Sequence, residues 1–230
     1  MINLSQRSFQ RELMDGHDIP FAAMAQTLKE LDFINTWLGG HAITMKGVKS
    51  LLTDRQSIII CEIGCGGGDN LFAIHKWCKR RDIPATFIGI DRNNECIEFA
   101  RQQYPQLDCE WIFSDYETAN FSSREPDIIF SSLFCHHFTD EQLVFMLRWL
   151  KQHSVRGFFI NDLQRHWLAY YLIKYLTRWF SRSYLVKNDA CLSVARSFRK
   201  KDWQQLFDKA GLTYHRISWQ WAFRWLVISK

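Results

Sequence analysis

The run Ile58-Ile59-Ile60-Cys61-Glu62-Ile63 is too short for a helix and too apolar for a strand with one wet face. It suits a strand buried on both faces, as the parallel sheets of α/β proteins require. It leads directly into Gly64-Cys65-Gly66-Gly67-Gly68. Glycines at the carboxyl end of a buried strand let the chain turn tightly and let a ligand approach the backbone, and the helix opening near Asp69 offers unpaired N–H groups and a positive dipole end. An anionic or carboxylate-bearing nucleotide fits such a place. The second strand, Phe87-Ile88-Gly89-Ile90-Asp91, ends in an acid 23 residues after Gly68, close to the spacing at which a carboxylate accepts both ribose hydroxyls. Asp69 stands where a dinucleotide fingerprint wants glycine or alanine for close helix packing, which argues against a dinucleotide.

The string Glu62 to Gly68 resembles motif I of the class I S-adenosylmethionine-dependent methyltransferases, and Ile90-Asp91-Arg92 resembles that family's ribose-binding segment. Phe113-Ser114-Asp115-Tyr116, with its acid 24 residues after Asp91, is similar to the end of the family's third strand. Pro126 to Phe138, which contains Ser131-Ser132-Leu133-Phe134-Cys135-His136-His137, looks like the fourth strand and the loop beside the reacting methyl. The resemblance implies S-adenosyl-L-methionine as cofactor and S-adenosyl-L-homocysteine as product. It further implies Gly64, Cys65, Gly66 and Gly68 along the amino-acid portion, Glu62 near the methionine amine, Asp91 at the ribose, and Asp115 and Tyr116 at the adenine. Ser132 joins that cofactor-binding set, and Arg92 either stacks on adenine or points to solvent.

Along the chain, the fold class expected is α/β: a Rossmann-like, doubly wound, mostly parallel sheet of seven strands with an antiparallel strand at the carboxyl end. Residues 1–55 form an arm that looks helical, with apolar positions Ala25, Leu28, Leu31, Ile34 and Leu38 in one stripe and Gly39-Gly40 as its stop. Residues 56–163 are the cofactor-binding core, in which strands and helices alternate as right-handed crossovers demand. Residues 164–198 break the alternation and form a helical insertion, and 199–230 give a closing helix and a strand pair. All of this is one domain, as 230 residues allow. Within His166 to Phe180, six of fifteen residues are aromatic, so that helix is buried on two sides, paired with a second subunit, or laid on a membrane.

Net charge of +5 comes from 29 basic residues interspersed with 24 acids, a solvated surface rather than a nucleic-acid stripe. The seven cysteines are odd in number and show no metal spacing, so reduced thiols and a cytoplasmic protein are expected, with no metal. No run approaches the ~18 apolar residues of a membrane span.

Methyl transfer from a sulfonium asks the protein mainly to align the acceptor, exclude water and free a lone pair. A histidine is a suitable base at neutral pH. His136 and His137 follow the fourth strand, where crevices form. Because adjacent residues leaving a strand point apart, one of them, His137, is expected to face the methyl and the other to turn away. Asp162 either orients the base or pairs with Arg165, and Asn161, Arg165, His166 and Tyr170 are candidates for acceptor contact. His17, His41, His75, His153 and His215 are expected to be surface or core residues without a companion acid or ligand in a site. The arm, the aromatic insertion and the Asn161-Asp162-Leu163-Gln164-Arg165 stretch look most like small-molecule enzymes that methylate hydroxyls of phenolic or polyketide-like metabolites. An RNA or protein methyltransferase and a cofactor-binding interaction protein are the alternatives.

Overall fold

A computed structural model of the chain describes residues 3–16, 19–54, 56–121 and 124–230. The core is a seven-stranded sheet in the order β3-β2-β1-β4-β5-β7-β6. Its strands are β1 (Ile58–Ile63), β2 (Ala85–Asp91), β3 (Cys109–Phe113), β4 (Ile128–Ser132), β5 (Gly157–Leu163), β6 (His215–Gln220) and β7 (Arg224–Ser229). The first five run parallel, and β7 lies antiparallel between β5 and β6. The order reverses between β1 and β4, which puts the topological switch at the carboxyl end of β1, beside the glycines.

The period of two along the strands sorts side chains between two cores. Ile58, Ile60, Phe130 and Phe159 pack under α2 (Gly40–Leu51), α3 (Asp69–Lys79) and α4 (Asn94–Gln103). Cys61, Ile63, Ile129, Phe158 and Ile160 pack under α5 (Asp140–His153) and α8 (Lys200–Ala210). The expected elements are present with ends shifted by a few residues, because capping fixes them: Thr139 and Gln142 form a capping box that starts α5, and Gly211 at φ +75° stops α8.

Two expectations need correcting. The arm is helical only from α1 (Phe21–Trp37) onward; residues 3–16 form a strap with one short 3₁₀ turn, Leu13–Asp15. Tertiary partners take the place of helical hydrogen bonds there. Ser8 N donates to Ala195 O at 3.0 Å, and Leu13 N and Met14 N donate to the Asp189 carboxylate at 2.9 and 3.0 Å. The insertion is a pair of helices, α6 (Trp167–Phe180) and α7 (Tyr184–Arg196). Only Ala169, Tyr170 and Thr177 of α6 are buried, so it is covered on one side alone.

Helix α2 reaches the sheet through Gly47, where an added Cβ would stand 2.4 Å from Phe159 Cδ2. Phe159 cannot yield, since it stacks on Phe130 with ring centroids 4.8 Å apart. Overpacking costs ~1–3 kcal/mol and helix propensity returns ~1 kcal/mol. Gly47→Ala should therefore gain nothing and lose up to about 2 kcal/mol, seen as a fall of up to a few degrees of Tm in a thermal melt, where the same change at an exposed helical glycine would stabilise.

Candidate active site

The cofactor side of the site is built from the glycine loop and the ends of β2 and β3. Gly64, at φ +64°, has Phe134 so close that a Cβ would fall 2.2 Å from its ring, so only glycine fits. Gly66 N donates to Asp91 Oδ2 at 2.9 Å, and Asn93 N donates to Asp91 Oδ1 at 2.9 Å. Burial raises the Asp91 carboxyl, against the pull of those two donors. A cleft between the loop and the sheet edge is lined by Gly64, Asp91, Arg92, Asp115, Phe134 and Phe138, among others. Asp115 caps the turn that follows β3 through Glu117 N, at 3.2 Å, and Tyr116 is buried edge-on against Trp149. Arg92 is exposed, and Cys65 is buried.

Glu62 shares the face of Ile58 and Ile60, so it points at the start of α3. Its Oε1 accepts from Asn70 Nδ2 at 3.0 Å, and its Oε2 is buried without a partner among the described residues. Burial holds this carboxyl well above its ordinary range. A cationic amine would complete both its hydrogen bonding and its charge, so the residues present fit the amino-acid end of an S-adenosylmethionine-type ligand. From Glu62 a buried polar chain continues. Thr44 Oγ1 donates to Asn70 Oδ1 at 3.0 Å, and Asn161 Nδ2 lies 3.2 Å from Thr44 Oγ1 and 3.3 Å from Ser132 Oγ. Asn161 and Ser132 thus brace the floor beneath the cleft.

The other side is the loop after β4. Leu133 adopts φ +54° and Cys135–His137 coil into a 3₁₀ turn. That turn corrects the expectation that the two histidines diverge: alternation holds along a strand, whereas here the rings lie 4.4 Å apart at 33°. His136 is buried, its Nδ1 2.8 Å from Asp162 Oδ1, and its backbone N–H donates to Asp162 Oδ2 at 3.2 Å. Burial acts to raise Asp162, but the charge and hydrogen bond of His136 outweigh it and hold the carboxyl below its ordinary value. His137 is more exposed, and its Nδ1 lies 3.0 Å from Asp15 Oδ1. Burial opposes the Asp15 charge too, yet His137 pulls that carboxyl down to about 2.

Both histidines aim Nε2 at one carboxylate from the strap, His136 at 3.6 Å from Glu12 Oε1 and His137 at 3.9 Å from Glu12 Oε2. Ser193 Oγ donates to Glu12 Oε1 at 2.9 Å, and Arg196 Nε is 3.8 Å away. Burial pushes the Glu12 carboxyl up to about 7, with His137 and Ser193 opposing. Arg196 also donates to the carbonyls of His136 and His137 at 3.0 and 2.8 Å and to that of Gln10, tying strap, α7 and histidine loop together. Glu12, Asp15 and Arg196 were not singled out in the sequence, where they lie more than a hundred residues from the histidines or on a different helix and carry no local pattern.

The remaining candidates lie elsewhere. Arg165 is spent on Leu4 O, Ser197 O and Asp202, and the pairing of Asp162 with Arg165 is not made. His166 caps α6 by accepting from Leu168 N at 3.2 Å, and Tyr170 packs into the α6–α7 contact. His41 and His153 do have companion acids, Asp69 at 2.7 Å and Glu125 at 3.0 Å, which the sequence spacing hid; His17 lies outside the described residues. Two clusters of ligand-type side chains converge among the described residues, Glu12-His136-His137 and Asp32-His41-Asp69. Their ion pairs account for both, and we assign them no metal.

Residues 60–157 match the methyltransferase domain family. No curated protein matches the chain in sequence. Among solved structures, the plantazolicin methyltransferase BpumL in complex with SAH is 18% identical, with a TM-score of 0.59 over 86% of this chain and 78% of that one. A SAM-dependent methyltransferase from Aquifex aeolicus is 14% identical, with a TM-score of 0.62 over 89% and 97%. The magnesium protoporphyrin IX methyltransferase of Synechocystis PCC 6803, with bound SAM, is 13% identical, with a TM-score of 0.51 over 94% and 85%. Residues 60–157 thus carry a sequence match to a methyltransferase domain, and the strand order is that of the Rossmann-like fold these neighbours share. Two of these solved neighbours hold SAH or SAM, the product and donor of methyl transfer.

The raised Glu12 carboxyl has a stability consequence. A carboxyl whose pKa is higher folded than unfolded binds its proton more tightly in the native state, so its ionisation withdraws stability as pH rises. The cost is nil below the unfolded value of about 4.5 and complete above about 7, roughly 3 kcal/mol by linkage. Glu12→Gln should therefore be the more stable protein in urea titrations at pH 8.5 and match the parent at pH 4. An equal difference at both pH values would show that this ionisation is uncoupled from folding.

Proposed function

We propose that the chain moves a methyl group from S-adenosylmethionine to a hydroxyl of a hydrophobic or aromatic small molecule, of phenolic or polyketide-like character. The observation that carries this reading is the histidine pair beside the cofactor cleft. The loop that supplies Phe134 and Phe138 to that cleft also holds His136 and His137. The solved neighbours named for plantazolicin and magnesium protoporphyrin IX, and an O-methyltransferase from Nostoc punctiforme at 12% identity, support a small-molecule acceptor.

When bound, the cofactor supplies an electrophilic methyl on a sulfonium. The protein's part is to hold the acceptor oxygen in line and to take its proton. A base must be reachable, and His137 is the more exposed of the two rings. In this reading His137 receives the acceptor's proton, with Glu12 beside its Nε2 as the next carrier. His136, fixed by Asp162, is a positioning residue that sets the turn on which His137 sits. Asn161 and Ser132 support the cleft floor, and Arg165, His166 and Tyr170 enter as framework of the insertion that walls the site. Gly64, Gly66 and Gly68 would line the amino-acid portion, Asp91 the ribose, and Asp115 and Tyr116 the adenine.

The test begins with calorimetry. S-adenosylmethionine and S-adenosylhomocysteine should bind with about micromolar Kd, about −8 kcal/mol, NAD should give no heat, and Asp91→Ala should lose the signal. With labelled methyl donor and a panel of phenols, His137→Ala should lower kcat by about 10²–10⁴-fold, as removal of a general base does. His136→Ala and Asp162→Asn should act through the same step and add little to it. Full turnover in all three variants would remove the base assignment and leave transfer to positioning alone.

A further inference from the structure

Helix α6 presents an apolar face to solvent as well as to the protein. Its inner side, with Ala169, Tyr170 and Ile173, packs on Val194 and Ala195 of α7. At 100° per residue the outer side carries Leu168, Leu172, Tyr175 and Trp179, all exposed, with exposed Leu176 at its edge, and Phe180 follows at the helix end. Trp179 and Phe180 are 79% and 81% exposed. A helix that rests on a protein normally turns its polar side outward; this one is apolar on both sides. The patch continues onto α1, where Phe33 and Trp37 are 63% and 73% exposed with ring centroids 5.7 Å apart. They lie one and two turns past Glu30, whose carboxylate accepts from Ser181 Oγ, Arg182 N and Ser183 N, so the two aromatic groups share one side of the molecule.

The charges on α6 itself have one sign, while Glu30 and Asp32 stand beside the aromatic pair on α1. Lys174 and Arg178 lie along one edge of the apolar stripe, and Arg182 follows it, all three exposed. Between Asp162 and Asp189 the chain has no acidic residue. A two-fold contact through α6 alone would set these cations against one another with no acid of that helix to pair them. Tryptophan and tyrosine rings beside lysine and arginine suit the headgroup layer, where the rings sit at the boundary and the cations reach phosphates.

We propose that α6 docks this protein on an anionic phospholipid bilayer, with Tyr175, Trp179 and Phe180 in the interface and Lys174, Arg178 and Arg182 against lipid phosphates. The protein lies on the membrane and does not cross it: no helix among the described residues is long and apolar enough to span one. Docking does not depend on the acceptor proposed above, although a greasy acceptor would partition into the same phase.

The experiment is co-sedimentation of the full chain with vesicles of phosphatidylcholine alone or with about one-third phosphatidylglycerol. The intact protein should pellet with the anionic vesicles at least about tenfold more than with the neutral ones, and release as salt rises. Trp179→Ser with Phe180→Ser should abolish pelleting while circular dichroism and cofactor binding stay unchanged, since both side chains are exposed. Lys174→Glu with Arg178→Glu should remove the preference for anionic lipid. Protein that stays in the supernatant with both vesicle types, or pelleting indifferent to the Trp179 and Phe180 changes, overturns the proposal. A dimer in gel filtration that the same double variant converts to monomer, without vesicle binding, would overturn it in favour of self-association.

Discussion

The carboxylate of Asp162 has no exposure at all, and the architecture at the carboxyl edge of the sheet follows from the need to compensate it. An isolated buried charge costs several kcal/mol, and removing its partner is correspondingly destabilising. Here compensation comes from the His136 ring, the His136 N–H and its neighbour's backbone, Leu163 N at 2.7 Å. Those bonds can form only if the chain after β4 coils back over β5, and that coil draws His136 and His137 together and lays Phe134 on Gly64. One buried charge therefore fixes both the histidine pair and one wall of the cofactor cleft.

A second set of buried charges closes the site from the other direction. Arg7 bonds to Asp140, to Phe138 O and to Arg196 O, Arg165 to Leu4 O and Asp202, and Arg196 to the histidine carbonyls. Guanidinium forks satisfy several carbonyls at once, which suits them to pin a strap that has no regular hydrogen bonding of its own. The strap in turn carries Glu12 and Asp15 to the histidines. Its attachment joins these polar contacts to apolar ones, Leu4 on the α6–α7 cluster and Met14 on Met24, Leu28 and Phe99.

The insertion separates two tasks along its length. Helix α7 belongs to the site through Asp189, Ser193 and Arg196, which hold the strap and the loop. Helix α6 shields α7 on one side and faces outward on the other. An aromatic-rich stretch is ambiguous in sequence because a ring packs equally well in a core, an interface or a headgroup layer, and only the register of α6 against α7 decided which rings point away.

The glycine-loop half of the candidate site was legible in the sequence because each of its parts is local: a buried strand, a glycine turn and an acid at the end of the next strand are adjacent along the chain and need only backbone geometry. The sheet was legible for the same reason, since apolar runs, caps and glycine stops each write their own element. The acceptor half was not. Glu12 reaches His136 across more than a hundred residues, His41 reaches Asp69, and the divergence expected of adjacent histidines failed because the turn type depends on Asp162 in another strand. Local pattern determined which elements form and where the glycine turn and the strand-ending acid stand. Tertiary structure alone decided which charges meet, because burial turns each unpaired ion into a demand that distant segments must satisfy.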